Sequence, residues 1–252
     1  MKIQAWTQRW RRQGFLVLSG FCVMFLSLCF ASEVVSYPLE INLESNASAP
    51  KFSDITVQNQ DMTDTSFVQV TVKKRIVEPS GVVKWIEITP NPINSDVGIS
   101  WKKSAIPAGA VKLLRVIDFA KNPPKTDEAY EVTITPTIPP FIRKKPVPSH
   151  QIHGQLTLVY AYQVLVILRP LNPHAVIHST RDGDRLTLTN TGNSDALLSH
   201  IRSCMPDKTC KPLEPYRLYA QTHWTVEIPK EATLYFTQTV TGSDVSREIA
   251  RG

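Results

Sequence analysis

The chain is poor in the features that most enzymes and helical proteins need. Outside its N-terminal segment, no window of about a dozen residues keeps a helical apolar period. Its 19 prolines are spread along its length and argue against long helices. Cysteine is scarce: of 4 in all, Cys22 and Cys29 lie near the N-terminus, leaving only Cys204 and Cys210 further on. A lone pair with no second Cys or His pair at ligand spacing argues against a structural metal site. His150 and His153 sit in a proline-rich stretch, and His174 and His178 sit on loop or strand sequence. Such spacings converge on a metal only along one helix face. There is no nucleophile elbow, phosphate loop or dinucleotide fingerprint. Neither an enzyme nor a cofactor is expected. A dense aromatic–basic stripe is also missing, so the formal net charge of +6 reads as a solvated surface rather than a nucleic-acid footprint.

The N-terminus has the makings of an export signal. Arg9, Arg11 and Arg12 precede an apolar run from Phe15 to Phe30, and Cys29-Phe30-Ala31 places small residues where signal peptidase requires them. Cleavage is expected after Ala31, because the run is shorter than the roughly 20 residues of a membrane span. In an oxidising compartment Cys204 and Cys210 are expected to form a disulfide that staples a short loop. Beyond the signal the chain is long enough for two domains of about 100 residues.

Strand succeeds strand through the rest. Ser53–Gln58 and Phe67–Val72 alternate polar and apolar residues. Val82–Thr89, Val111–Phe119 and Ala129–Thr135 are rich in β-branched residues and bounded by turn formers. The stretch from Thr137 to Gly154 mixes prolines with Arg143, Lys144 and Lys145 and is expected to be an extended loop. The longest strand signal comes next, from Gln155 to Arg169, against a usual length of about 5–6 residues. Its even face carries Leu156, Leu158, Tyr160, Tyr162, Val164, Val166 and Leu168. Pro170 ends it, and Leu171-Asn172-Pro173 reads as a hinge. Further strands are expected over Asp184–Asn190, Asp195–Ser203, Thr222–Pro229 and Ala232–Gly242. The expected fold is all-β: a signal peptide over 1–31, one sandwich over 32–170 and a second over 171–252.

In order and spacing these segments resemble the periplasmic chaperones of chaperone–usher pilus systems. Ile55-Thr56-Val57-Gln58-Asn59 resembles a strand of that family ending in Asn, and Val68–Val72 the strand after it. Ile86-Glu87-Ile88-Thr89-Pro90 resembles its strand ending in Thr-Pro. Ile106-Pro107-Ala108-Gly109 with Leu114-Arg115-Val116 resembles a turn and an Arg-bearing strand. Asp127–Tyr130 with Pro136–Pro140 resembles its acidic turn and the strand ending in Ile-Pro-Pro. Leu156 through Arg169-Pro170 resembles its donor strand and interdomain join, and Cys204 with Cys210 matches a disulfide found in many second domains of the family.

The resemblance implies two immunoglobulin-like sandwiches joined at an angle, in a periplasmic protein that binds pilus or fimbrial subunits. It implies that Leu156, Leu158, Tyr160 and Tyr162 are lent to a subunit lacking a strand, and that an outer-membrane usher receives the complex. Self-association through the same strand is a further implied partner. The chain departs from the family at its usual carboxylate anchor. The donor-strand position that is commonly Lys is Leu165, Ser32–Pro50 contains no Arg or Lys, and Asn91–Lys103 is longer than the common pattern. Lys112, Arg115 and Arg169 are therefore the expected substitutes. Arg115 is otherwise expected to pair with Glu128, and Arg169 to form an interdomain salt bridge. The alternative function is a non-catalytic periplasmic or surface β-sandwich binding module or structural subunit.

Overall fold

A computed structural model describes residues 34–45, 51–77, 83–91, 95–137, 160–240 and the backbone of 243–249. The export segment, the proline-rich stretch from residue 138 onward, and Leu156 and Leu158 lie outside the described residues. Among the described residues, the strands of the first domain are β1 (Val34–Tyr37), β2 (Glu40–Leu43), β3 (Phe52–Asn59), β4 (Ser66–Val77), β5 (Val83–Ile88), β6 (Val97–Ile99), β7 (Lys103–Ile106), β8 (Val111–Asp118), β9 (Glu128–Thr137) and β10 (Tyr162–Leu168). Those of the second are β11 (Ile177–Asp182), β12 (Arg185–Asn190), β13 (Ala196–Cys204), β14 (Cys210–Pro212), β15 (Tyr216–Leu218), β16 (His223–Glu227), β17 (Thr233–Val240) and β18 (Ser243–Ile249).

Each domain is a pair of sheets packed face to face. In the first, β1-β3-β8-β6 faces β2-β10-β9-β4-β5, with β7 also on β4. In the second, β11-β12-β16 faces β14-β13-β17-β18, with β15 also on β13. This is the immunoglobulin-like arrangement that the alternating sequence predicts. The alternation places Ile55, Val57, Leu114 and Val116 of one sheet against Val68, Val70, Val132, Ile134, Val164 and Val166 of the other. Leu186, Leu188, Leu198, Leu234 and Phe236 fill the second core. In β13 the buried positions shift phase between Leu198 and Ile201. A bulge there leaves an extra residue, with His200 at positive φ. The Cys204–Cys210 disulfide joins directly opposed residues of β13 and β14.

Both domains use a buried asparagine at a strand end to tie down a neighbouring loop. Asn59 Nδ2 donates to the carbonyls of Asp64 (2.8 Å), Ile106 (3.0 Å) and Pro107 (3.2 Å). Its Oδ1 accepts from the Asp61 N–H and the Ser66 hydroxyl, both at 3.0 Å. Asn190 repeats the device. Its Nδ2 reaches the carbonyls of Ser194 and Leu218, and its Oδ1 takes the N–H groups of Val176 and Gly192. Asn59→Ala leaves several of these buried groups without partners and is expected to cost about 3 kcal/mol, read by urea unfolding. A cost below about 1 kcal/mol would show that water replaces the side chain.

Candidate functional site: the open edge of β10 and the domain junction

β10 is covered unevenly. Along one side it pairs with β9 from Tyr162 to Leu168. Along the other, β2 runs parallel to it and covers only Leu165–Leu168. The first contact on that side is the Leu165 N–H to the Leu39 carbonyl at 2.9 Å. Among the described residues, Tyr162–Val164 therefore has a free main-chain edge. The apolar face behaves in step. Val164, Val166 and Leu168 are buried in their own core, Tyr162 packs at its margin, and Tyr160 is 54% exposed. The face leaves its own core where the edge becomes free. The strand is shorter than the Gln155–Arg169 expectation within the described residues, because Tyr160 and Ala161 are outside it.

The C-terminal end of β10 enters the junction. Arg169 is 3% exposed. Its Nη1 donates to Ser194 Oγ at 2.8 Å and ion-pairs with Asp195, while Nε and Nη2 donate to Asn42 Oδ1 at 2.9 and 2.7 Å. Arg217 takes the other oxygen of Asp195 and donates its Nη2 to Glu40 Oε2. Asp195 of the second domain is thus clamped by a guanidinium from each domain. Burial pulls the Arg217 guanidinium down, but Asp195 and Glu40 hold it above the usual arginine value.

Two more charges are buried in this junction. Arg75 on β4 stacks over the Tyr219 ring at 3.7 Å to the centroid, and among the described residues its Nε and Nη2 have no hydrogen-bond partner. Burial lowers its pKa from the usual arginine value. Asp127 is 5% exposed, and among the described residues neither carboxyl oxygen has a partner in good hydrogen-bond geometry. Burial, reinforced by Asp195, pushes its carboxyl up to about 6 against the pull of Arg169, Arg75 and, weakest of these, the Ala220 backbone. Its own N–H crosses the junction to the Asn193 carbonyl at 2.9 Å.

The remaining expected cations stand elsewhere. Lys112 and Arg115 lie on β8, in the sheet opposite the one that holds β10, at exposed positions of that strand. Arg115 makes two hydrogen bonds to Asp54 (2.8 and 2.9 Å) and stacks on Phe52. This corrects the expected pairing with Glu128, whose carboxylate takes Lys74 Nζ and the Tyr130 hydroxyl at 2.7 Å each. Lys112 bonds Ser104 Oγ at 2.6 Å and lies over Trp101. The structure does not bring either residue together with Arg169. No junction role was expected from the sequence for Arg75, Asp127, Asp195 or Arg217, and of these only Asp127 falls in a segment marked for its charge, the acidic turn before β9. Among the described residues no three metal-binding side chains cluster.

No protein-family model and no curated protein sequence matches the chain. Solved structures match its fold. The chain is similar to the crystal structure of the class 5 fimbriae chaperone CfaA, with 16% identity and a TM-score of 0.63, over 87% of this chain and 100% of that one. It is similar to a chain of the CsuC–CsuE chaperone–tip adhesion subunit pre-assembly complex, from the archaic chaperone-usher Csu pili of Acinetobacter baumannii. That match has 16% identity and a TM-score of 0.58, over 87% and 99% of the two chains. It is also similar to a chain of the Salmonella enterica SafA pilin–SafB chaperone complex, with 15% identity and a TM-score of 0.56, over 87% and 95%. At these identities the likeness is one of fold.

Proposed function

We propose that the chain is a periplasmic assembly chaperone of the chaperone–usher type, exported with a signal cleaved after Ala31. It binds a fimbrial subunit by lending β10 and the residues before it as a missing strand, and delivers the subunit to an outer-membrane usher. The observation that carries this reading is the free edge of β10 at Tyr162–Val164. There the apolar face passes out of its own core toward Tyr160. Main-chain hydrogen bonds along such an edge supply affinity, and alternate side chains supply selection. Leu156, Leu158, Tyr160 and Tyr162 are the donor residues of this mechanism. The two-domain fold shared with solved fimbrial chaperones adds to it.

Affinity capture from native periplasm, with mass spectrometry of the co-purifying proteins, tests the reading. A small β-rich secreted subunit at about one copy per chain is expected. Recovery of the chain alone, from cells that are making fibres, would leave a non-catalytic binding module.

The carboxylate end of a bound subunit needs a cation near β10. Of the three expected, only Arg169 lies at the junction, and it is already committed to Asp195, Ser194 and Asn42. Arg217 is the better placed, because its second partner, Glu40, is partly exposed and pairs in register with Leu165. Arg217→Ala is expected to weaken subunit capture by about 10- to 100-fold, the worth of a charge-assisted hydrogen bond. Lys112→Ala and Arg115→Ala are expected to leave capture within about twofold of the parent, since no such bond is lost. Loss of capture in Lys112→Ala or Arg115→Ala, with Arg217→Ala unchanged, would put the anchor on β8 instead.

A further inference from the structure

The junction holds one carboxyl group that its surroundings do not balance. Asp195 has a guanidinium on each oxygen, Glu40 has Arg217, and Glu128, next in sequence to Asp127, turns to Lys74 and the Tyr130 hydroxyl. Asp127 is buried against the second domain, and among the described residues no donor reaches either oxygen in good hydrogen-bond geometry; the Ala220 N–H acts on it only weakly. The groups that act on it come from several elements. Arg75 reaches it from β4, Arg169 from the end of β10, Asp195 from the turn before β13, and the Ala220 backbone, most weakly, from the loop after β15. Tyr219, beside Ala220, occupies the face of Arg75 and keeps that guanidinium stacked rather than paired. Ionising Asp127 places a charge in a low-dielectric site beside another carboxylate, with only the weak Ala220 N–H to receive it. Relief requires Arg75 to leave the Tyr219 ring, or water to enter between the domains.

We propose that Asp127 is a proton-operated latch between the two sandwiches, holding the junction shut as the neutral acid and loosening it as the carboxylate. The step is a simple ionisation, in which the Asp127 carboxyl releases its proton to solvent and keeps the electron pair on oxygen. The sign is set by the direction of the shift. The carboxyl is raised from 3.8 to about 6 in the closed junction and returns toward the ordinary value when water reaches it. The closed state therefore binds the extra proton, and closure is strongest below about pH 4. That advantage is lost as pH rises to about 6 and is constant above it. A difference of about two pKa units corresponds to about a hundredfold change in the opening equilibrium. The inference concerns the junction itself and stands whether or not β10 is lent to a subunit.

Amide hydrogen exchange in the full chain provides the test, through the Asp127 N–H that bonds the Asn193 carbonyl across the junction. Protection factors, corrected for intrinsic exchange, are compared for the parent and Asp127→Asn between pH 4 and 7. Near pH 4 the two are expected to agree within about threefold. Near pH 7 the parent is expected to be less protected by about 30- to 100-fold, with the change falling between pH 4 and 6. Equal protection at pH 7, or greater protection in the parent, overturns the proposal. Should the variant fail to fold, a carbon-13 titration of the Asp127 carboxyl in the parent chain decides. A midpoint near 6 supports the latch, and one near the ordinary aspartate value of 3.8 overturns it.

Discussion

Asp195→Ala is expected to lower the stability of the chain by about 3–5 kcal/mol, the cost of removing one partner from a buried ion pair. The loss is large because two cations depend on this one carboxylate. Arg169 is 3% exposed, and Arg217 shares its charge only with Glu40. Alanine leaves the Arg169 guanidinium buried with hydroxyl and amide oxygens from Ser194 and Asn42 as its remaining acceptors. Thermal unfolding should report a fall on the order of 10 °C, since each kcal/mol moves the midpoint by a few degrees in a chain of this size. The double change Arg169→Met with Asp195→Leu is expected to cost less than Asp195→Ala alone, because no unpaired charge is left behind. The ion pair would be shown to be replaceable by water if Asp195→Ala cost less than about 1 kcal/mol. Because the pair joins the end of β10 to the second domain, the variant should also loosen the join between the domains before either core melts.

The sandwiches were legible in the sequence because each inward face keeps a period of two. Ile55 and Val57, Val68 and Val70, Val132 and Ile134 sit where alternation places them. The covering of β10 was not legible. β1 and β2 have four residues each, and Pro38 separates them, so neither offers an alternation long enough to read. Yet β2 decides where the free edge of β10 begins. The junction charges were hidden for another reason. Arg75 falls on the outward-facing positions of β4, with Phe67, Gln69, Thr71 and Lys73. Period alone places it in solvent, and it is the second domain that buries it. Asp127, Asp195 and Arg217 likewise sit at strand ends or in short strands, far apart in the chain. Arg169 carried a local signal for the junction, in the Arg-Pro step that closes the long apolar strand, whereas the acidic turn at Asp127 does not say that its carboxyl is buried. Lys112 and Arg115 are cations of the right type, but residue type does not say which sheet reaches the junction.

Leu158→Glu combined with Tyr160→Glu is expected to abolish subunit capture while leaving the melting temperature of the free chain within a few degrees of the parent. Tyr160 is more than half exposed and lies outside β10, so its replacement removes little from the core of the first domain. Transferring a large apolar side chain from water to an apolar groove contributes about 1.5–3 kcal/mol. Two such residues contribute on the order of 3–6 kcal/mol, or roughly 100-fold to more than 10,000-fold in affinity. Introducing carboxylates adds the cost of desolvating charge in the same groove. By contrast, Gln163→Glu sits on the opposite face of the strand and is exposed. It is expected to leave capture within about threefold of the parent, as surface changes of about 0.5 kcal/mol allow. The pair of outcomes separates a face-specific strand contact from a general charge effect. If both variants capture equally well, the even face of β10 does not enter a partner's groove. If both lose capture, the free main-chain edge is disturbed and side-chain selection is not being read. Loss in the first variant alone, with an unchanged melt, is the result expected of a strand whose inner half belongs to its own sandwich and whose outer half is lent to another.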